Sequence, residues 1–171
     1  MDTLLAIASR RDERRTLPEP LSPGLVSRIL DAGRLSGSSR NSQPWTFVVP
    51  TGRQRIEELA RAVYVPENLL AAGLVVAILV EGKGPVVFDA GRAAQSMLLA
   101  AWAAGIASSP NGIRDADLAR GVLEAGEAET PVIVLSFGHP ERRRDPESHT
   151  ASEWSARANR RPITEVVRWL A

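Results

Sequence analysis

Two polar segments near the N-terminus hold the residue types best suited to gripping a charged heterocycle. The first is Ser9-Arg10-Arg11-Asp12-Glu13-Arg14-Arg15. Continued as a helix, it places Arg10 and Arg14 on one face and Arg11 and Arg15 on another. Two guanidinium groups on one face hold a phosphate by charged, bidentate hydrogen bonds. On this segment alone, a solvated helix end whose arginines complement the C-terminal dipole is the stronger reading. The second segment is Ser38-Ser39-Arg40-Asn41-Ser42-Gln43-Pro44-Trp45. The amides of Asn41 and Gln43 offer both donors and acceptors, which suits a heterocycle edge carrying both. In an extended segment their spacing points both side chains the same way. Trp45 adds an apolar wall with one donor. Spacing by itself leaves two readings open: a binding loop, or a polar turn followed by a core tryptophan.

The remaining side chains offer little conventional catalysis. There is no cysteine, which excludes disulfides, thiolate nucleophiles and thiolate metal sites. The two histidines, His139 and His149, lie in a Pro- and Arg-rich stretch, so no histidine triad and no metal site is expected. Any reaction therefore falls to a cofactor, with the protein supplying binding and position. A formal charge of +1 over 171 residues provides no global field for nucleic acid or an anionic membrane. Any anion site must be a local cluster. The apolar run 69–80 is too short to cross a bilayer, and the start at Asp2 does not resemble a signal peptide. A cytoplasmic protein without membrane or nucleic-acid partners is expected.

Length and an ordinary composition, 44% hydrophobic and 24% charged, fit one domain spanning 1–171. Apolar spacing at 4–8 starts a helix that runs into the arginine cluster. Ser22-Pro23 opens a second helix, with Ser as N-cap and Pro in the first turn, ending near Leu35. Residues 45–49 read as a strand and 53–63 as a short amphipathic helix. Residues 73–80 form a continuously apolar strand buried on both faces. The longest helix covers 88–104 and is apolar nearly all round, so it lies centrally or against a second subunit. Gly105 ends it as a C′ residue, and Asp89 reads as its N-cap and Gln95 as a core amide. A helix at 115–123, a strand at 131–137, an exposed loop at 141–153 and a last helix at 162–167 complete the chain. Too few βα units are present for a doubly wound parallel sheet, so the class is α+β, a small sheet wrapped by helices around one long buried helix.

Together these segments resemble the nitroreductase superfamily. Arg10-Arg11-Asp12 with Arg14 is similar to the family's opening Arg-Arg-Ser-x-Arg motif, and Ser38 to Trp45 to its Ser-x-x-Asn-x-Gln-Pro-Trp motif. Residues 89–101 resemble its central helix and Gly105-Ile106 the Gly-Leu that follows. Pro110-Asn111-Gly112 resembles its Pro-x-x-Gly loop near the flavin, Gly138-His139-Pro140 its Gly-x-Pro strand end, and Arg161-Pro162-Ile163 with Glu165 its C-terminal Arg-x-Pro-Leu-x-Glu segment.

The resemblance implies a mainly antiparallel central sheet and a homodimer holding FMN at its interface. It places Arg10, Arg11, Asp12 and Arg14 by the flavin phosphate and ribityl chain. Asn41 and Gln43 fall around the isoalloxazine and ribityl edge. Asn111 and Gly112 fall near N5, where backbone donors stabilise charge on the reduced ring. Arg160 or Arg161 meets the phosphate. The implied activity is an FMN-dependent oxidoreductase passing hydride from NAD(P)H to an electron-poor acceptor, nitroaromatic or quinone, in ping-pong fashion with no catalytic side chain. A non-catalytic protein that stores or senses FMN is the alternative. Three departures stand out: Asp12 replaces a serine, Thr16 replaces an aromatic residue, and the links 64–70 and 82–85 are short where larger relatives place helices over the substrate channel. Those short links imply an open or differently shaped site, with loose substrate selection or a substrate unlike the usual nitroaromatics.

Overall fold

A computed structural model of the chain describes residues 2–170. In chain order the elements are α1 (Thr3–Ser9), β1 (Thr16–Leu17), α2 (Pro23–Arg34), β2 (Trp45–Val48), α3 (Arg53–Ala60), α4 (Glu67–Leu70) and β3 (Leu74–Val80). There follow α5 (Val86–Ala103), β4 (Ala107–Asn111), α6 (Ala116–Val122), β5 (Thr130–Pro140), α7 (Ala151–Arg157) and α8 (Ile163–Val166). They divide into two compact units. Arg11–Arg143 forms the larger, and Met1–Arg10 with Arg144–Ala171 forms the smaller.

In the larger unit β5 pairs with β3 along one edge and with β4 along the other, while its last two residues pair with β1. The remaining strand, β2, pairs with β3. All pairings are antiparallel, as the α+β expectation requires. Every residue of β3 is buried, and its side chains alternate between two cores. Leu74, Val76, Ile78 and Val80 face a cluster with Ile29 of α2 and Met97 and Ala101 of α5. Val75, Ala77 and Leu79 face another with Leu59 and Ala60 of α3 and Ala119 of α6. Each such Leu, Ile or Val contributes about 1.5–3 kcal/mol on burial, so β3 holds the two layers together.

Local chemistry sets several boundaries where the sequence places them. The Ser22 hydroxyl accepts the Leu25 N–H at 3.4 Å, with Pro23 at the first helical position. At the far end of α5, Gly105 takes φ +73° and its N–H reaches Trp102 O at 3.0 Å, while Ile106 N–H reaches Ala101 O at 2.9 Å. That paired closure is a Schellman cap, and it needs a residue that tolerates positive φ.

Other boundaries differ. The first helix stops at Ser9, and Arg10 is already extended at φ −58°, ψ 137°. The arginine cluster therefore does not continue the helix: Glu13 N–H bonds to Ser108 O of β4, and Arg15 O receives Glu141 N–H. Tertiary pairing overrides helix propensity there. Likewise Pro110-Asn111 belongs to strand β4 rather than to a loop. The stretch expected as loop to residue 153 instead contains the start of α7. Thr150 and Glu153 form a reciprocal capping box there, and Trp154 is buried with its Nε1 donating to Pro146 O at 2.8 Å. Asp89 is not the N-cap of α5, a position held by Pro85, and Gln95 is exposed rather than a core amide.

Candidate functional site

Asn41 and Gln43 lie on an exposed turn between α2 and β2 that is neither extended nor relaxed. Ser39–Asn41 forms a single 3₁₀ turn, and Arg40, Asn41 and Gln43 take φ values of +52°, +55° and +48°. The expected extended geometry is thus replaced by left-handed backbone. A non-glycine residue in that region costs about 1 kcal/mol or more, so three in four residues persist only under external restraint. Both amides stay at the surface, and Gln43 Nε2 reaches Asn41 O at 3.4 Å.

The restraints are identifiable. Ser38 Oγ accepts Gln43 N–H at 2.8 Å, closing the turn on itself. From outside the turn, Asp89 Oδ2 accepts Ser39 N–H at 2.9 Å. Asp89 sits in the first turn of α5, is 1% exposed, and pairs through Oδ1 with Arg92 Nη1 at 3.4 Å. Arg92 itself lies 6.0 Å above the Phe88 ring. On the C-terminal side Glu81 N–H bonds to Pro44 O at 3.1 Å, tying the turn's exit to β3. A cleft of about 320 Å³ opens here, lined in part by Gln43, Trp45, Glu81 and Lys83. The sequence held a clue to Asp89: a carboxylate inside a nearly all-apolar helix needs a partner.

Asn111 behaves differently. It is 4% exposed and its amide is fully engaged. Nδ2 faces Ser109 O at 3.1 Å, Val134 O at 3.2 Å and Ser136 Oγ at 3.1 Å, and Oδ1 accepts Asn68 Nδ2 at 2.7 Å. Its side chain is a fastener between β4, β5 and the α4 region, which leaves only backbone in this segment to meet a ligand. Gly112 follows in an exposed position, its carbonyl accepting Tyr64 N–H at 3.1 Å.

The arginine segment reaches the same strand, since Glu13 N–H bonds to Ser108 O. Arg11 is half-buried there, and Asp12 and Arg14 are exposed. Ser108 Oγ is buried without a hydrogen-bond partner, the sort of polar atom that a water or ligand satisfies. Arg10, Arg160 and Arg161 belong to the smaller unit. Arg161 pairs with Glu165 at 3.3 Å, both exposed. Such a pair is worth at most about 1 kcal/mol, and Arg161 Nη2 also donates to Glu165 O at 2.8 Å. Arg160 edges a groove of about 410 Å³ formed by Leu4, Ile7 and α7 residues.

Asn41 and Gln43 present their amides at the surface of a held turn, with donors and acceptors of the kind a heterocycle edge carries. The nitroreductase family model matches residues 7–73 and 85–139. The chain belongs to the nitroreductase family. The match breaks over 74–84, which is β3 and the short turn after it. A 4-nitrobenzoate reductase of Pseudomonas putida is 47% identical over 49 residues, 29% of this chain and 22% of that protein. A protein of Methanothermobacter thermautotrophicus assigned as an NADH dehydrogenase/NAD(P)H nitroreductase is 28% identical over 151 residues, 82% of this chain and 78% of that one. The fold aligns with a Desulfovibrio desulfuricans protein assigned as a nitroreductase and crystallised with FMN. That alignment has a TM-score of 0.80 at 25% identity, covering 100% and 98% of the two chains.

Within this nitroreductase fold the departure at Thr16 has a structural reason. Its hydroxyl donates to Ala71 O at 2.6 Å, and its side chain packs against Gly138, where a Cβ would lie 2.7 Å from Thr16 Cβ. Among the described residues no helix is long and apolar enough to cross a membrane.

Proposed function

We propose that this nitroreductase-family protein is a cytoplasmic, FMN-dependent oxidoreductase that uses NAD(P)H to reduce an electron-poor acceptor of the nitroaromatic or quinone class. The observation that carries the reading is the Asn41-Ser42-Gln43-Pro44-Trp45 turn, whose amides stay at the surface on a backbone held in a strained shape. The residues suit FMN: the exposed amides match the mixed donors and acceptors of the ring edge, and the arginines match its phosphate. FMN, when bound, would supply two-electron redox chemistry between NAD(P)H and the acceptor.

The chain's own part is binding and orientation. Asn41 and Gln43 hold the ring edge. Arg11 and Arg14 in the larger unit, and Arg10 with Arg160 or Arg161 in the smaller, are the candidates for a phosphate that carries close to two charges. The backbone at Asn111-Gly112 offers donors to the reacting edge. A homodimer would complete the site, and exposed apolar side chains support one: Val87 and Phe88 on α5 are 61% and 69% exposed, and Trp169 is 91% exposed.

The test is the flavin content of purified protein followed by NAD(P)H oxidation with a panel of acceptors. Bound FMN and turnover with several acceptors are expected. Colourless protein that neither takes up FMN nor gains thermal stability from it would overturn the proposal. A second reading, a protein that binds FMN without turnover, is favoured by the short links at 64–70 and 82–85. Flavin uptake with idle kinetics across the panel identifies it.

A further inference from the structure

We infer that Asp89 is a positioning residue for the flavin site, acting through Ser39 to hold the turn that carries Asn41 and Gln43. The inference rests on the proposed function for the identity of the ligand, but its geometry stands independently. Asp89 is a carboxylate buried on a mostly apolar helix, 1% exposed. It spends one oxygen on a backbone N–H of the turn and the other on Arg92. A buried carboxylate is costly to keep unless it is paired, so a helix needing only apolar packing would not hold one here.

What the carboxylate restrains is a backbone with three left-handed non-glycine residues. The internal bonds, Ser38 Oγ to Gln43 N–H and Ser39 O to Ser42 N–H, link the turn only to itself. The bond to Asp89 joins its first residue to α5, and the Pro44–Glu81 bond joins its exit to β3. Without the first anchor the turn can relax toward ordinary dihedrals, and the amides leave their arrangement. Ligand binding must then rebuild the turn. A hydrogen bond to a charged group is worth about ten- to hundred-fold in an equilibrium, which caps the loss of affinity. Arg92 is half-exposed and engages the second carboxylate oxygen at 3.4 Å. Gly37 lies against it, where a Cβ would sit 2.5 Å from Arg92 Nη2.

The experiment compares Asp89→Ala, Asp89→Asn, Ser39→Pro and the double variant Asp89→Ala/Ser39→Pro. Two readouts are used: amide hydrogen exchange at Asn41, Ser42 and Gln43 in flavin-free protein, and the FMN dissociation constant. Asp89→Ala is expected to speed exchange about ten-fold or more and to weaken FMN binding by up to about a hundred-fold. Asp89→Asn keeps an acceptor oxygen and is expected to restore most of both. Ser39→Pro removes the donor N–H, together with the Ser39 hydroxyl, and fits the backbone because Ser39 opens a 3₁₀ turn and Ser38, at φ −136°, ψ 161°, has the extended shape a proline demands of its predecessor. It is expected to reproduce Asp89→Ala, and the double variant to add nothing further. Wild-type exchange and wild-type affinity in Asp89→Ala would overturn the inference, as would additive effects in the double variant. If Asp89→Ala does not fold, Ser39→Pro against wild type decides by the same two readouts. A wild-type protein that takes up no FMN overturns the proposed function instead, and the exchange measurements still decide whether Asp89 holds the turn.

Discussion

Asn111→Ala should behave as a stability variant and not as a flavin-binding variant. The amide is 4% exposed and makes four close polar contacts, three through Nδ2 and one through Oδ1. Truncation leaves the buried Asn68 Nδ2 without that acceptor, at a cost of about 1–3 kcal/mol for an orphaned polar group. Ser136 Oγ keeps its 3.3 Å bond to Ser109 O, so it is only partly deprived. Adding the lost net hydrogen bonds and a small cavity brings the total to about 3 kcal/mol. For a chain of this length that lowers the melting temperature by roughly 6–12 °C. Asn111→Asp is isosteric but turns a carboxylate oxygen toward the Ser109 and Val134 carbonyls, and should lose at least as much. The assay is thermal unfolding followed by circular dichroism, with FMN affinity measured at a temperature where both variants are folded. Affinity should stay within about three-fold of wild type, since the side chain faces protein and the segment offers a ligand only backbone. An Asn111→Ala protein melting within about 2 °C of wild type, yet binding FMN more than ten-fold weaker, would refute the reasoning.

Arg10→Ala and Arg161→Ala should each weaken FMN binding about ten-fold while leaving riboflavin, which lacks the phosphate, unaffected; calorimetric titration with both ligands checks this. Glu129 accepts the Gly126 N–H at 2.9 Å and a bond from the Thr46 hydroxyl, which together hold its carboxyl below the ordinary range. Its folded value is depressed, so its contribution is present above the unfolded carboxylate pKa of about 4.3 and is lost as pH falls below that range. The melting-temperature gap between wild type and Glu129→Gln should accordingly be open at neutral pH and close in acid. Phe88→Glu, placing charge on the exposed start of α5, should shift a dimer toward monomer in sedimentation velocity, whereas an unchanged dimer would put the interface elsewhere.

The parts of the fold legible in the sequence are those decided by local pattern. The continuous apolar run of β3, the Ser22-Pro23 cap and the Gly105 closure each have a short-range cause, and each appears within a residue or two of its expected place. Strand β4 had no such cause. Ala-Ser-Ser-Pro-Asn lacks apolar alternation, and it is a strand because β5 offers its free edge and because Asn111 and Ser109 satisfy one another beneath it. Tertiary pairing likewise pulled the arginine segment out of α1. The start of α7 was legible in principle, since Thr150-Ala151-Ser152-Glu153 is a capping box, but the surrounding charge and proline obscured it. At the site, residue types were readable and conformations were not. Asn41 and Gln43 stand where the motif puts them, yet their left-handed backbone depends on Asp89, fifty residues away from Ser39 in the chain.

Strain at the turn and the short links argue in the same direction. Joining α2 to β2 does not require left-handed residues, because a relaxed loop of equal length spans the same gap with less backbone energy. The sequence nevertheless keeps Arg40, Asn41 and Gln43 there without a glycine among them, and keeps a buried carboxylate to secure the first of the turn's bonds. A shape maintained against its own preference is useful where something outside the chain must meet it. Between Val80 and Val86 only five residues separate β3 from α5, and three of them, Glu81, Gly82 and Lys83, line the cleft beside Gln43. Glu81 and Lys83 set opposite charges beside Gln43 and Trp45 in that cleft, next to the turn whose shape is held against its own preference.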